Sequence, residues 1–284
     1  MKHILALLVA CGISLAASAQ HDNPKATTDT TSGNKKTLYL QFGPSGFNIE
    51  VKEKDSLRRK ITVQRKSRWD VHTLMMDIGF NALNDKTNYG SAAAQQFLQV
   101  PGDMQNENLF SMRQGKSINF NIYPVMAAYD AVRTKKQKVI LSAGIGLQTY
   151  NFRFNKNISY VNHTVPAVVT DTIAFTKNKL AVTYLSIPLM VDFKTRLAKE
   201  MWLVYGVGVS GGYRIDSWTK QISGERGKQK FHDGFNLKDF NACVTGEIGL
   251  DGYVRLYASY QLTPLHDNAL DQYPYAIGIR FFGI

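Results

Sequence analysis

Tyr253-Val254-Arg255-Leu256-Tyr257-Ala258-Ser259-Tyr260-Gln261-Leu262 alternates between two kinds of residue, and so does Tyr275-Ala276-Ile277-Gly278-Ile279-Arg280-Phe281-Phe282 after it. Val254, Leu256, Ala258, Tyr260 and Leu262 form one side of the first stretch; Tyr253, Arg255, Tyr257, Ser259 and Gln261 form the other. In the second, Tyr275, Ile277, Ile279 and Phe281 oppose Ala276, Gly278, Arg280 and Phe282. A period of two marks a strand whose faces meet different environments. One face suits lipid and the other a more polar interior, and the chain ends on the strand, as expected of the closing strand of an outer-membrane barrel.

Working back from this end, the same pattern predicts eight strands, each long enough to cross a bilayer at the usual tilt, which takes about 9 to 11 residues. They are Val71 to Leu83, Ser117 to Tyr129, Lys138 to Phe152, Val182 to Lys194, Met201 to Ile215, Phe240 to Leu250, Gly252 to Leu262 and Tyr273 to Phe282. The first turns Leu74, Met76, Ile78, Phe80 and Ala82 outward against Thr73, Met75, Asp77, Gly79 and Asn81. The second turns out Ile118, Phe120, Ile122 and Met126, and the fourth sets Ile187, Leu189, Val191 and Phe193 against Ser186, Met190 and Asp192. Pro188 withholds a ladder donor in that fourth strand. Long connections, Asn84 to Lys116, Arg153 to Ala181, Asp216 to Asp239 and Thr263 to Gln272, alternate with short ones at Asp130 to Gln137, Thr195 to Glu200 and Asp251. Long outer loops and tight inner turns are the rhythm of an outer-membrane barrel, and an even strand count returns both termini to the periplasm. A lipocalin-type barrel would instead carry its apolar residues inside.

Composition sets the remaining bounds. The chain has 284 residues, 44% of them hydrophobic, with a mean hydropathy of −0.22. No apolar run reaches the roughly 18 residues of a spanning helix. Lys2 and His3 before Ile4 to Ala10, with Ala17-Ser18-Ala19 at the cleavage site, read as a signal peptide over residues 1–19. Leu8-Val9-Ala10-Cys11 resembles a lipidation box, but the apolar run before Cys11 is too short. Removing Lys2 takes the formal charge from +12 to +11. Export then argues against nucleic acid as the partner of this basic chain. Cys243 is the one cysteine left, so no internal disulfide is expected. Residues 20–68 make a periplasmic leader: a polar stretch to Lys36, a hairpin of Thr37 to Phe42 and Phe47 to Val51 about Gly43 to Gly46, and the basic residues Arg58, Arg59, Lys60, Arg65, Lys66 and Arg68. The basic segment reads as a solvated linker or as a contact for anionic headgroups or a protein partner. The barrel is expected over 69–284.

Thr183-Tyr184-Leu185-Ser186-Ile187-Pro188-Leu189, Phe235-Asn236-Leu237, Leu256 to Leu265 and Tyr273-Pro274-Tyr275-Ala276-Ile277-Gly278 carry a family resemblance. From about Thr37 onward the chain resembles the PorT-like outer-membrane β-barrel proteins of Gram-negative bacteria. The resemblance implies an all-β transmembrane fold in the outer membrane. It also brings in a secretion or surface-assembly machine as an alternative role.

Few motifs point to chemistry. Gly206-Val207-Gly208-Val209-Ser210-Gly211 spells the dinucleotide fingerprint, but Tyr213 and Ile215 continue the strand where a helix would have to start. Gly206 and Gly208, with Gly144 and Gly146, instead leave room inside for bulky residues on facing strands. His72, His163, His232 and His266 lack the spacing of metal ligands. His163, Ser223 and His232 are the raw material for a lipid-modifying enzyme at the outer rim. No catalytic, cofactor or metal residue is assigned, and a non-enzymatic barrel working through its outer loops is expected. Period two places Asp77, Glu247, Arg255 and Arg280 inside, on the first, sixth, seventh and eighth strands. Glu247, Arg255 and Arg280 fall in the periplasmic half and Asp77 nearer the middle, a set expected to pair as a structural charge network because an unpaired charge in a narrow lumen costs several kcal/mol.

Overall fold

The computed structural model describes residues 37–43, 46–52, 68–162 and 165–282. Two compact units divide the chain, Met1–Arg68 and Trp69–Ile284. In the first, β1 (Thr37–Gly43) and β2 (Gly46–Lys52) form an antiparallel hairpin with Gly43 opposite Gly46. The signal segment, the polar leader and the basic residues from Arg58 to Lys66 lie outside the described residues.

The second unit runs β3 (Trp69–Asp85), helix α1 (Ala92–Phe97), β4 (Leu98–Gln99), β5 (Ile118–Arg133), β6 (Gln137–Arg153), β7 (Ile158–Asn162), β8 (Pro166–Thr170), β9 (Lys177–Arg196), β10 (Trp202–Ser223), β11 (Gly227–His232), β12 (Phe240–Leu250), β13 (Arg255–Gln261) and β14 (Gln272–Phe282). Eight of these strands pair antiparallel in the order β3-β5-β6-β9-β10-β12-β13-β14, and β14 pairs back onto β3. These eight strands therefore form a closed ring, an up-and-down meander, to which β11 adds as a ninth strand on β10. Each predicted strand falls on one of them.

The faces of the ring are inverted relative to a water-soluble protein. Leu189, Val207, Leu256 and Ile277 point outward and are 52–62% exposed. Asp77, Asn119, Gln148, Ser186 and Gln261 point inward and are buried. The apolar exterior is the reverse of what a lipocalin-type barrel presents, while the loop half of the interior is lined by Tyr150, Phe152, Leu180, Val182 and Tyr184. Aromatic residues gather at both margins of the apolar exterior. Trp69 packs on Tyr129 and Phe193 on Tyr205 at the end with short turns; Tyr213 packs on Phe240 and Tyr260 on Tyr273 at the end with long loops.

Where the strands depart from expectation, a bulge or turn is the cause. Met126 is buried inside rather than outward, because the register of β5 on β6 slips between Ile122 and Val125, around Pro124, and the alternation changes phase there. The strand expected to end at Ile215 runs to Ser223, since a second slip between Arg214 and Asp216 resets the phase so that Ser217 and Thr219 face inward. Half of the expected loop 216–239 is thus the hairpin of β10 and β11. Arg153 to Ala181 likewise contains the β7–β8 hairpin and the first turn-away of β9, and Asn84 to Lys116 contains α1, β4 and three short 3-10 turns. The expected start at Gly252 moves to Arg255: Gly252 has φ +79°, Tyr253 N–H closes a turn on Leu250 O, and both Tyr253 and Val254 are exposed.

Inward glycines make space in the ring. A Cβ on Gly208 would overlap Sδ of Met190; one on Gly144 would overlap Sδ of Met126, and one on Gly146 the ring of Tyr123. Gly211 faces outward with open space around it. Gly208→Ala is expected to cost about 1–3 kcal/mol through overpacking, while Gly211→Ala stays within about 0.5 kcal/mol. Urea unfolding of the refolded protein in micelles measures both, and equal losses would contradict this packing.

Candidate functional site

Inside the ring, at the turn end, the sequence-derived charges meet. Arg280 on β14 stands directly opposite Asp77 on β3 and grips it twice, Nε to Oδ1 at 2.7 Å and Nη2 to Oδ2 at 2.9 Å. Its Nη1 donates to Oε2 of Glu247 at 2.6 Å. Arg255 lies directly opposite Arg280 and donates to Oε1 of the same Glu247. One carboxylate therefore bridges two guanidinium groups that would otherwise repel across adjacent strands. All four residues are at most 6% exposed. Asp77 sits level with Arg280 rather than nearer the middle, because β3 and β14 pair without stagger at that point.

An uncharged circuit completes the lattice. Asn121 Nδ2 donates to Asp77 Oδ2 at 3.1 Å, Asn119 Nδ2 to Asn121 Oδ1 at 3.1 Å, and Tyr257 OH to Asn119 Oδ1 at 2.7 Å. Tyr257 in turn presents its ring to the Arg280 guanidinium, 5.7 Å away. A further acid, Asp192 on β9, was legible as inward but not as part of this group. Gly206 separates it from Glu247, since Gly206 pairs with both. Asp192 Oδ1 is buried without a hydrogen-bond partner among the described residues. Asp192, Arg255 and Arg280 help to line an open cavity of about 560 Å³ at the turn end, walled by Met75, Met126 and Met190.

The loop end is closed by structure that the alternation did not announce. Segments from all the long connections, held by α1 and the small sheet of β4, β8 and β7, fold into a cap with its own core. Phe97, Leu98, Leu109, Phe110, Phe154, Ile158, Val168, Phe235 and Leu265 are buried in it. At its centre His266 stacks on Tyr160, ring centroids 6.0 Å apart, with the edge of Phe97 at 5.6 Å. Burial pushes the His266 imidazole down to about 3, with Asp85 opposing weakly. Phe235 and Asn236 both adopt left-handed backbone, at φ +49° and +55°, and the packing of Phe235 on Tyr160 holds the first there.

The other candidates stay apart. His163 lies outside the described residues. Ser223 and His232 sit at opposite ends of the β10–β11 hairpin, Ser223 opposite Gly227 and His232 opposite Trp218, five steps of about 3.3 Å apart. His232 pairs instead with Asp216 at 2.9 Å, and His72 lies 4.0 Å from Asp70. Cys243 is buried inside, 3.7 Å from the Tyr150 hydroxyl. Gly206 to Gly211 lie in mid-strand on β10, away from any helix. Among the described residues no three His, Cys, Asp or Glu side chains gather as metal ligands.

No family model matches the chain, and no curated protein matches it either. Among solved structures, the attachment invasion locus protein Ail of Yersinia pestis aligns with 74% of this chain and 98% of its own at 10% identity, with a TM-score of 0.25.

Three expectations follow. Arg280→Gln leaves two buried carboxylates short of a donor and should cost about 3–5 kcal/mol. Glu247→Gln and Arg255→Gln should each destabilise the protein, with a double mutant that costs less than their sum by about 0.5–3 kcal/mol; additive losses in urea would mean the charges do not interact. For His266 the sign is set by its lowered value. Below the usual histidine value near 6.5 the opened cap takes a proton that the closed cap refuses until about pH 3. Cap stability should therefore fall across that window, by up to a few kcal/mol, and stay flat above it. Amide exchange of residues 265–270 reads this out, and an unchanged pH slope in His266→Phe would refute it.

Proposed function

We propose that the protein is an outer-membrane β-barrel of non-enzymatic, structural or interaction role, with its cap and hairpins as the working surface outside the cell. The apolar exterior of a closed ring, bounded by aromatic residues at both margins, carries this reading. From Leu185 to Phe193 on β9 the outward residues cover about 26 Å of strand. At a tilt of about 40° that is roughly 20 Å along the membrane normal, close to the apolar band of such barrels. Among the described residues no helix is long and apolar enough to cross a membrane, so crossing falls to the strands.

Inside, tyrosines, methionines and the charge lattice occupy the ring, as eight strands allow, which favours a plugged barrel over a diffusion pore. The separation of Ser223 from His232 likewise favours a role other than lipid hydrolysis. In this orientation the short turns, the start of β3 at Trp69 and the end of β14 at Phe282 face the periplasm.

Protease added to intact cells tests the topology. The β10–β11 hairpin narrows the accessible site to its tip, Gly224 to Arg226, and trypsin is expected to cut at Arg226 while sparing the turn at Thr134 to Lys136. Cleavage at Lys135 or Lys136 in intact cells would invert the model. Purification in mild detergent tests the role: a solitary barrel agrees with the proposal, and a stoichiometric partner complex would move the protein into an assembly machine.

A further inference from the structure

Of the buried side-chain oxygens that lack a hydrogen-bond partner among the described residues, Oδ1 of Asp192 is the one that belongs to a carboxylate. Asp192 is 8% exposed, and its carboxylate lies over the bare backbone of Gly206, where an added Cβ would overlap Oδ1. The charges that act on it from neighbouring elements are already engaged. Arg280 holds Asp77 with two hydrogen bonds and Glu247 with a third. Arg255 pairs with the same Glu247 and lies 3.7 Å from Asp251, while Lys194 donates to Asp251 at 2.7 Å. Glu247, across Gly206, adds a second negative charge rather than a partner. A buried carboxylate left in that position is costly until a cation with hydrogen-bond donors reaches it.

The turn-end cavity of about 560 Å³ leads to Asp192. That volume falls within the roughly 300–1,000 Å³ of small-molecule pockets, which combine mostly apolar walls with a few placed polar groups. Met75, Met126 and Met190 supply the wall, Ile140 stands directly opposite Asp192 on β6, and Tyr253 and Val254 are exposed at the turn that forms the lip. Methionine side chains are unbranched and polarizable, so such a wall adapts to more than one shape. An inorganic cation would leave most of this space and its thioethers unused. An anion would meet Asp192 and Glu247 with both guanidinium groups already taken.

We propose that this cavity is a binding site for a small organic amine, a primary ammonium carrying an alkyl or aromatic chain, with Asp192 as its carboxylate partner. The ammonium head donates to Asp192 over Gly206, and the chain lies along the methionines towards Tyr253. A single carboxylate awaits a partner here, which favours a monoamine over a polyamine. In the orientation proposed above the mouth opens to the periplasm, but binding requires only the folded ring and not its place in a membrane.

The full chain, isotope-labelled at the methionine methyls and refolded in non-ionic micelles, is titrated with n-hexylammonium or with n-hexanol and followed by NMR. The methyl signals of Met75, Met126 and Met190, each assigned by substitution with Leu, should move with the amine at concentrations roughly tenfold below those the alcohol needs. Met76, on the opposite face of β3 from Met75, reports partition into the micelle and should not distinguish the probes. Asp192→Asn carries no buried charge, so it should unfold at higher urea than the wild type. It should also lose affinity for the amine by roughly thirtyfold or more, with its response to hexanol unchanged. If that variant fails to fold, n-hexyltrimethylammonium, which keeps the charge but has no N–H donor, should bind the wild type more weakly than the primary amine. Equal responses to amine and alcohol, unchanged amine affinity in folded Asp192→Asn, equal binding of the primary and trimethylated amines, or full displacement of the amine by potassium ions at equal concentration would overturn the proposal.

Discussion

The seam between β14 and β3 is the constraint on which the rest of this structure depends. An open sheet leaves the backbone donors and acceptors of its edge strands unpaired, so the last strand has to find the first. Eleven residue pairs, from Gln272 on Asp85 to Phe282 on Met75, close it. Arg280 and Asp77 are one of those pairs, joined by a two-pronged ion pair as well as by the ladder. The contact that ties the seam also orients Glu247 and, through it, Arg255. A side-chain lattice thereby fixes which register the ring closes in, since a slip of one residue would send Arg280 to the outer face.

The interior follows from narrowness. Every second residue of eight strands must point into one small lumen, and large and small side chains have to alternate between neighbours. Gly208 yields to Met190 and Gly144 to Met126, while Gly206 lies between Asp192 and Glu247. Polar groups that enter such a space have to satisfy one another, and the circuit from Asp77 through Asn121 and Asn119 to Tyr257 does so. Asp192 Oδ1 has no such partner among the described residues, and neither have the side-chain amide of Asn81 and the hydroxyls of Ser186 and Ser259.

Strand positions and faces were legible because a period of two is a local property, and the four lattice residues could be placed inside by counting alone. What escaped the reading had non-local causes. Pro124 and the slip at Arg214 to Asp216 change the phase, so Met126 was placed on the wrong face and the extension of β10 was lost. The link between Asp192 and Glu247 runs through a glycine on a third strand. The cap is drawn from four separate connections, and Phe97, Tyr160, Phe235 and His266 carry no periodicity that could announce their meeting. The register of four strands is likewise needed to bring Arg153, Lys179, Lys220 and Lys230 into one line.

The cap also constrains the order of assembly. Its core is continuous with Tyr150 and Tyr184 on the ring wall, with Tyr257 on β13 and with Ala276 on β14. Its floor therefore does not exist until the sheet has closed. The connections that carry Phe97, Leu109, Phe110 and Phe235 must reach the far side of the ring as open chain, their aromatic side chains still unsheltered, and condense only afterwards. Any factor that meets this chain before the ring closes finds those segments at their stickiest, and the finished cap conceals them.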